Sequence, residues 1–202
     1  MFLEGLERTS SIDAPSPNPI DAGEFRRTLG LFASGVTVIA ADFAGLLHAM
    51  TANAVSSVSL EPPLVLFCPA KRSNFGAGLD RMRGFTINFL RADQEALATY
   101  FAGAWRDRAP PPFRFVPAQC APRLEGALAA VGCEIHEIIE GGDHWIVIGR
   151  VVGLHRGIEP HRPLLHFKGR YREVDESSGI TAPDLTAVEA EPAHIFYDRG
   201  HA

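Results

Sequence analysis

Three stretches of the chain carry residue types suited to chemistry. In Gly142-Asp143-His144, two polar ionisable residues stand directly ahead of the apolar run Trp145-Ile146-Val147-Ile148. A tight turn there delivers an imidazole to the mouth of a buried strand, where it can hold a ligand or serve as a backbone-bonded structural residue. Asp143 suits the turn itself, because Asp side chains bond their own backbone at such positions. In Cys68-Pro69-Ala70-Lys71-Arg72-Ser73-Asn74, two cations and a hydroxyl fall in one loop. That set suits a phosphate, although a solvated pair of loop charges has the same appearance. From Met50 to Leu66 the chain reads MTANAVSSVSLEPPLVL, with small and hydroxylated residues where larger ones would pack better. Such a segment lets a flat ring approach backbone N–H and C=O groups, or it is an ordinary strand edge with a Ser-rich turn.

Composition narrows the class of partner. The formal charge of −5 and the absence of a Lys/Arg cluster argue against nucleic acid, whose phosphates require a basic face. Cys68, Cys120 and Cys133 are odd in number, widely spaced and free of any CxxC pair, as expected of reduced thiols buried as small hydrophobes. No apolar stretch is long enough for a membrane span, and Met1 to Arg8 lacks the pattern of a secretory signal, so a cytoplasmic protein is expected. His155, His161 and His166 share no element at ligand spacing, and no metal is expected. A dinucleotide fold would show a glycine-rich turn; Gly76-Ala77-Gly78 begins that pattern, but Arg81 stands where the third glycine belongs.

The elements that must position these groups are mostly strands. Residues 1–20 read as a flexible arm, because the Ser, Pro and Asn of Thr9 to Pro19 cannot bury enough apolar surface to order the chain. Asp21 with Glu24 opens a helix whose Phe25, Leu29 and Phe32 recur at helical spacing and should lie on the core. Val36 to Ala40 and Leu47 to Ala52 form a hairpin about an Asp42 to Gly45 turn, and Val55 to Leu60 and Pro63 to Phe67 are strands parted by a double proline. Gly84 to Leu90 is a further strand, and Ala92 to Ala102 a helix with Leu97, Tyr100 and Phe101 buried. Val131 to Ile139 and His144 to Leu154 make a second, longer hairpin across residues 140–143, closed by Leu164 to Phe167 and Arg170 to Val174. Many strands without strand–helix alternation predict an antiparallel barrel within one domain over 21–175. Residues 176–202 form a polar tail in which Ile195-Phe196-Tyr197 could dock on the body or on a partner subunit.

Gly142-Asp143-His144, followed by four residues, Gly149, one residue and Val151, resembles the nicotinamide-binding signature of the short-chain flavin reductases that serve two-component monooxygenases. The Met50-Thr51-Ala52-Asn53 to Pro62-Pro63-Leu64-Val65 segment is similar to the flavin-contacting segment of the flavin reductase-like family. Phe32 to Val38, Gly84 to Leu90 and Leu164 to Tyr171 resemble further segments of that family in the same order. The resemblance runs from about Phe25 to Tyr171. It implies a mainly β fold with flanking helices, the FMN-binding split β-barrel, an antiparallel Greek-key barrel. It also implies transfer of hydride from NADH or NADPH to FMN or FAD, with reduced flavin passed to a partner monooxygenase, and a homodimer with flavin near the subunit boundary.

Position by position, the resemblance makes His48, Ala49, Met50, Thr51, Asn53 and Ala54 border the isoalloxazine, largely through backbone atoms, with Ser57 beside them. Cys68, Pro69, Ala70, Lys71, Arg72, Ser73 and Asn74 would hold the ribityl phosphate. Gly142, Asp143 and His144 would meet the nicotinamide, and Tyr171 would complete a neighbour's site. Asn74 and Phe75 depart from the family, where Arg or Ser and then Ser or Thr are more usual, which leaves FMN against FAD open. Hydride transfer between two cofactors needs no side-chain acid or base, and none is assigned. Two other readings share these residues: a split-barrel oxidase or oxygenase that keeps its flavin, and a non-catalytic flavin-binding module.

Overall fold

A computed structural model describes residues 19–43, 45–106, 108–157 and 162–174. Residues 1–18 of the arm expected over 1–20, and the tail expected over 176–202 with Ile195 to Tyr197, lie outside the described residues, as does His161.

Helix α1 spans Ala22–Leu29, capped by the Asp21 carboxylate, which accepts from the Glu24 backbone N–H at 2.8 Å. It buries none of its residues. The expectation that Phe25, Leu29 and Phe32 lie on the core is therefore incorrect: all three are exposed, together with Ile20 and Leu31. Phe25 and Leu29 keep the helical spacing on an outward face, and Phe32 lies beyond the end of the helix at Leu29. Strand β1 (Ser34–Gly35) follows, then β2 (Thr37–Phe43) and β3 (Leu46–Ala52), paired from Thr37↔Ala52 to Phe43↔Leu46. The turn between them is tighter than expected, since β2 continues through Phe43.

Strands β4 (Val55–Leu60) and β5 (Pro63–Phe67) have the bounds that the double proline predicts, and the Glu61–Pro62 peptide is cis. After β6 (Gly84–Phe89), the segment expected as one helix begins as a 3-10 turn over Ala92–Gln94, and only Glu95–Phe101 is α-helical (α2). Leu97 is buried; Tyr100 and Phe101 are half-buried and pack edge-on with each other at 5.0 Å. A short ribbon of β7 (Phe115–Val116) and β8 (Arg123–Leu124) occupies a segment that the pattern left unassigned. Strands β9 (Ala129–Gly141) and β10 (His144–Arg156) form the long hairpin, turned by Gly142 and Asp143 alone. The chain closes with β11 (Leu165–Phe167) and β12 (Arg170–Arg172), and β1 pairs with β11.

Seven strands make one antiparallel sheet in the order β3-β2-β6-β9-β10-β5-β4. Its two edge strands, β3 and β4, are consecutive in the chain and separated only by Asn53 and Ala54. Two linking residues span about 11 Å at most between Ala52 and Val55, so the sheet has to curl until its edges nearly meet. Its outer edges stay unpaired with each other, which makes the barrel split rather than closed. The connection from β5 to β6 skips β9 and β10, a crossing of the Greek-key kind.

Strand β2, between the edge strand β3 and β6, is buried on both faces, so it reads as a near-continuous apolar run. Ile39, Ala41 and Phe43 face one core with Phe67, Phe85 and Val147, whereas Val38 faces a second with Leu90, Leu97, Leu124 and Leu164. Asn88 is fully buried and satisfied: its amide donates to the Val38 carbonyl at 2.9 Å, and its Oδ1 accepts from the Leu124 backbone at 2.8 Å.

The ladder between β9 and β10 shifts register between Ile148 and Gly149, where a Cβ on Gly149 would lie 2.4 Å from the ring of fully buried Phe85 and 2.8 Å from Cβ of Cys133. Phe85 in turn packs edge-on against Phe67 at 4.8 Å. Overpacking of this kind costs about 1–3 kcal/mol. Gly149→Ala is expected to lower the denaturant midpoint accordingly, with an unchanged m-value; an unaltered midpoint would mean that Phe85 has room to yield.

Candidate functional site

The link between the edge strands, the loop after β5 and the tip of the β9–β10 hairpin are stitched together by backbone bonds. Cys68 N–H donates to the Ala54 carbonyl at 3.2 Å, Trp145 N–H to the Pro69 carbonyl at 2.9 Å, and Lys71 N–H to the Asp143 carbonyl at 3.0 Å. Ala70 and His144 form an isolated antiparallel bridge. Segments some ninety residues apart in sequence thus share one rim of the barrel.

At the hairpin tip Gly142 has φ +64°, a conformation glycine adopts without penalty. Asp143 does more than shape the turn: its Oδ1 lies 2.7 Å from His144 Nδ1. An ionised carboxylate can only accept, so Nδ1 carries the hydrogen and, in the neutral ring, Nε2 is left as an acceptor. The imidazole holds the Asp143 carboxyl below the usual carboxylate range, first by this hydrogen bond and then by charge, with Arg72 adding a smaller pull. Asp143 is exposed and His144 half-buried, so the ring is oriented yet reachable.

The loop divides its donors. Lys71 pairs with the Glu140 carboxylate and sits 4.9 Å from the Trp145 ring centroid. The Ser73 hydroxyl donates to the Ala70 carbonyl at 2.7 Å and accepts from Gly76 N–H at 2.9 Å, which fixes the loop's shape instead of leaving a donor for phosphate. Arg72 and Asn74 are exposed, Cys68 and Ala70 half-buried, and Pro69 buried.

The residues of the Met50 segment separate by strand alternation. The Thr51 hydroxyl donates to the Ala98 carbonyl at 2.7 Å and Ala49 packs on the second core, so both side chains face α2. Met50 packs on the first core. His48 stacks on Phe43 at 3.5 Å, and on an extended strand it stands about 16 Å from Asn53. Asn53, Ala54 and Ser57 are exposed at the split. The Asn53 amide reaches Ser34 Oγ at 3.2 Å and lies 3.5 Å from His166 Nδ1. A cavity of about 520 Å³ opens here, lined largely by apolar side chains with Asn53, Ser34 and Ser57 at polar positions. Neither His144 nor the 68–74 loop lines that cavity. Tyr171 packs half-buried on the second core, and burial pushes its phenol upward, so the hydroxyl stays protonated.

Sequence reasoning did not single out Ser34, Glu140 or His166 at this rim. Glu140 was legible in principle as the cross-strand partner of Trp145 in a two-residue hairpin; Ser34 and His166 depend on the long-range β1–β11 pairing. Among the described residues no group of three His, Cys, Asp or Glu side chains is placed to hold a metal ion. Cys133 is buried and its thiol is pushed up to about 12, which disqualifies it as a nucleophile. The site fits a flavin and a nicotinamide in one respect that can be checked on the chain: small exposed residues and unpaired strand edges border an apolar cavity, with cations and an oriented imidazole close by along the rim.

Removing the imidazole should release the Asp143 carboxyl. His144→Ala is expected to raise the Asp143 pKa toward the ordinary carboxylate range in a carboxyl carbon-13 NMR titration. In the native protein the pairing is complete above that range and is lost as pH falls through the depressed Asp143 value. A titration curve unchanged by the substitution would remove the pair from the account.

Residues 29–175 match the family described as "Flavin reductase like domain". The chain is 39% identical over 150 residues to a "4-hydroxyphenylacetate 3-monooxygenase, reductase component" of Thermus thermophilus, covering 74% of this chain and 95% of that one. It is 34% identical to the "Flavin-dependent monooxygenase, reductase subunit HsaB" of Rhodococcus jostii, over 88% of this chain and 90% of the relative. Among solved structures it is similar to "Flavin reductase PheA2 in native state", with a TM-score of 0.72 and 35% identity over 77% of this chain and 99% of the other. The NADH:FAD oxidoreductase SgcE6 of Streptomyces globisporus, in complex with NAD and FAD fragments, gives 0.68 and 34% over 81% and 94%. With the split sheet, the stitched rim and a match across most of its length, the chain belongs to the flavin reductase-like domain family.

Proposed function

We propose that the protein is an NADH-dependent flavin reductase that supplies reduced flavin to a partner monooxygenase. The observation that carries this reading is the rim itself: backbone bonds join Ala54 at the split, the 68–74 loop and the Gly142-Asp143-His144 turn into one binding edge. Nicotinamide and flavin, when bound, would supply the chemistry, transfer of a hydride from the nicotinamide C4 to the flavin N5. The chain contributes position. Exposed backbone at Asn53 and Ala54 would read the ring edge, Arg72 and Lys71 would meet phosphate charge, and His144 offers Nε2 as an acceptor to an amide donor such as the nicotinamide carboxamide.

NADH and FAD are the favoured pair, because relatives similar to this chain are named an NADH-dependent flavin reductase and an NADH-dependent FAD reductase. A homodimer is supported by the outward apolar stripe of Ile20, Phe25, Leu29, Leu31 and Phe32, which is large for a solvated helix and lies beside the cavity through Phe32. Tyr171 would then stand near the second copy's site. Three free cysteines accord with a cytoplasmic setting.

Anaerobic mixing of the protein, FAD and NADH should bleach the flavin's visible absorbance; no bleaching leaves a binding module and removes the reductase reading. Flavin that stays bound through turnover and reacts with oxygen in place would instead mark an oxidase. His144→Ala is expected to raise the KM for NADH about three- to tenfold, the scale of one lost hydrogen bond, while flavin affinity stays within error. Unchanged reduction kinetics would take His144 out of the nicotinamide site.

A further inference from the structure

The 68–74 loop presents its half-buried cation already occupied. The Lys71 backbone N–H is tied to the Asp143 carbonyl, its ammonium lies over Trp145, and the Glu140 carboxylate pairs with it. Glu140 reaches that point because it is directly opposite Trp145 in the β9–β10 register, on the same face of the ladder. The two partners differ in freedom: the Lys71 side chain is 29% exposed, held by the indole and the loop, whereas that of Glu140 is 70% exposed. The carboxylate is therefore the member that can swing away into water while the ammonium stays. The other charges at this tip are Arg72, which is exposed, and Asp143, whose carboxylate is paired with His144.

We propose that Glu140 is a built-in competitor for the flavin phosphate: its carboxylate occupies the Lys71 ammonium in the flavin-free protein and must be displaced before phosphate can pair there. This rests on the reading that the 68–74 loop takes the phosphate. The phosphate of FMN carries more charge than a carboxylate, and the FAD diphosphate brings two charged groups with more acceptor oxygens, so either wins the ammonium, but with affinity lowered by the pair it breaks. When flavin leaves, Glu140 retakes Lys71, and the loop does not face solvent with an unpaired, partly buried cation. Glu140 thereby sets how readily flavin exchanges, a property that a protein delivering its flavin to another enzyme requires.

The test is equilibrium titration of the full-length protein with FMN and, separately, with riboflavin, which has the same ring and no phosphate. Glu140→Gln should bind FMN about two- to fivefold more tightly, the scale of a partly exposed ion pair, with riboflavin unchanged. The gain should shrink at high salt and vanish in a Lys71→Ala background. Unaltered FMN affinity in Glu140→Gln, or equal tightening of riboflavin, overturns the proposal. If Lys71→Ala weakens FMN selectively while Glu140→Gln does nothing, the loop still takes the phosphate and only the competitor role is lost. If Lys71→Ala leaves FMN and riboflavin alike, the loop reading falls and the competitor role falls with it.

Discussion

The structure depends on a length constraint. Strands β3 and β4 stand at opposite ends of a seven-stranded sheet, yet only Asn53 and Ala54 separate them in the chain. Two residues cannot bridge a flat sheet of that width, since neighbouring strands are about 4.8 Å apart. The sheet must curl, and it meets itself where the linker lies. Because the edges approach without forming a ladder, the seam keeps backbone donors and acceptors that the five inner strands of this sheet have spent on pairing. The same constraint that shapes the barrel thus creates its most receptive edge, and small residues such as Ala54, Ser56 and Ser57 leave that edge uncovered.

The second requirement is that the seam be held still. Two cores lie on either side of β2, and Asn88 ties β6 to β2 and to β8 through one hydrogen bond each, with a third to Thr86 on its own strand. Phe85 locks against Gly149, so the glycine of the Gly142 to Val151 motif serves the core, and the motif's chemical end is only its first three residues. A pattern that looks like one functional signature divides into an exposed tip at Gly142 to His144 and a packing base at Gly149, about 16 Å further along the strand by the rise of an extended chain.

Electrostatics at the rim is local and paired. Asp143 serves His144, Glu140 serves Lys71, and the Ser73 hydroxyl serves its own loop. This arrangement orients groups at little cost in stability, because the pairs are exposed and individually weak. It suits a site whose ligands come and go.

Much of this was legible in the chain. Local rules alone determined the strands from Val55 to Phe67, the cap at Asp21, the glycine turn ahead of His144 and the absence of a glycine-rich phosphate loop, because each depends on neighbours within a few residues. The helical spacing of Phe25 and Leu29 was equally visible, yet whether that face meets the core or the outside depends on what the fold sets beside it, and among the described residues both side chains stay exposed. Likewise the Lys71 loop read as a free phosphate cradle, and only the β9–β10 register brought Glu140 onto it. The Ser73 hydroxyl read as a phosphate donor until the structure gave it to the loop's own backbone, and the Thr51 hydroxyl is spent on α2. Sequence by itself determined which groups were available and which local shapes they took. Tertiary structure alone decided which of them were already spent, because a hydrogen bond or ion pair across many residues is settled by pairing register, and register belongs to the whole sheet.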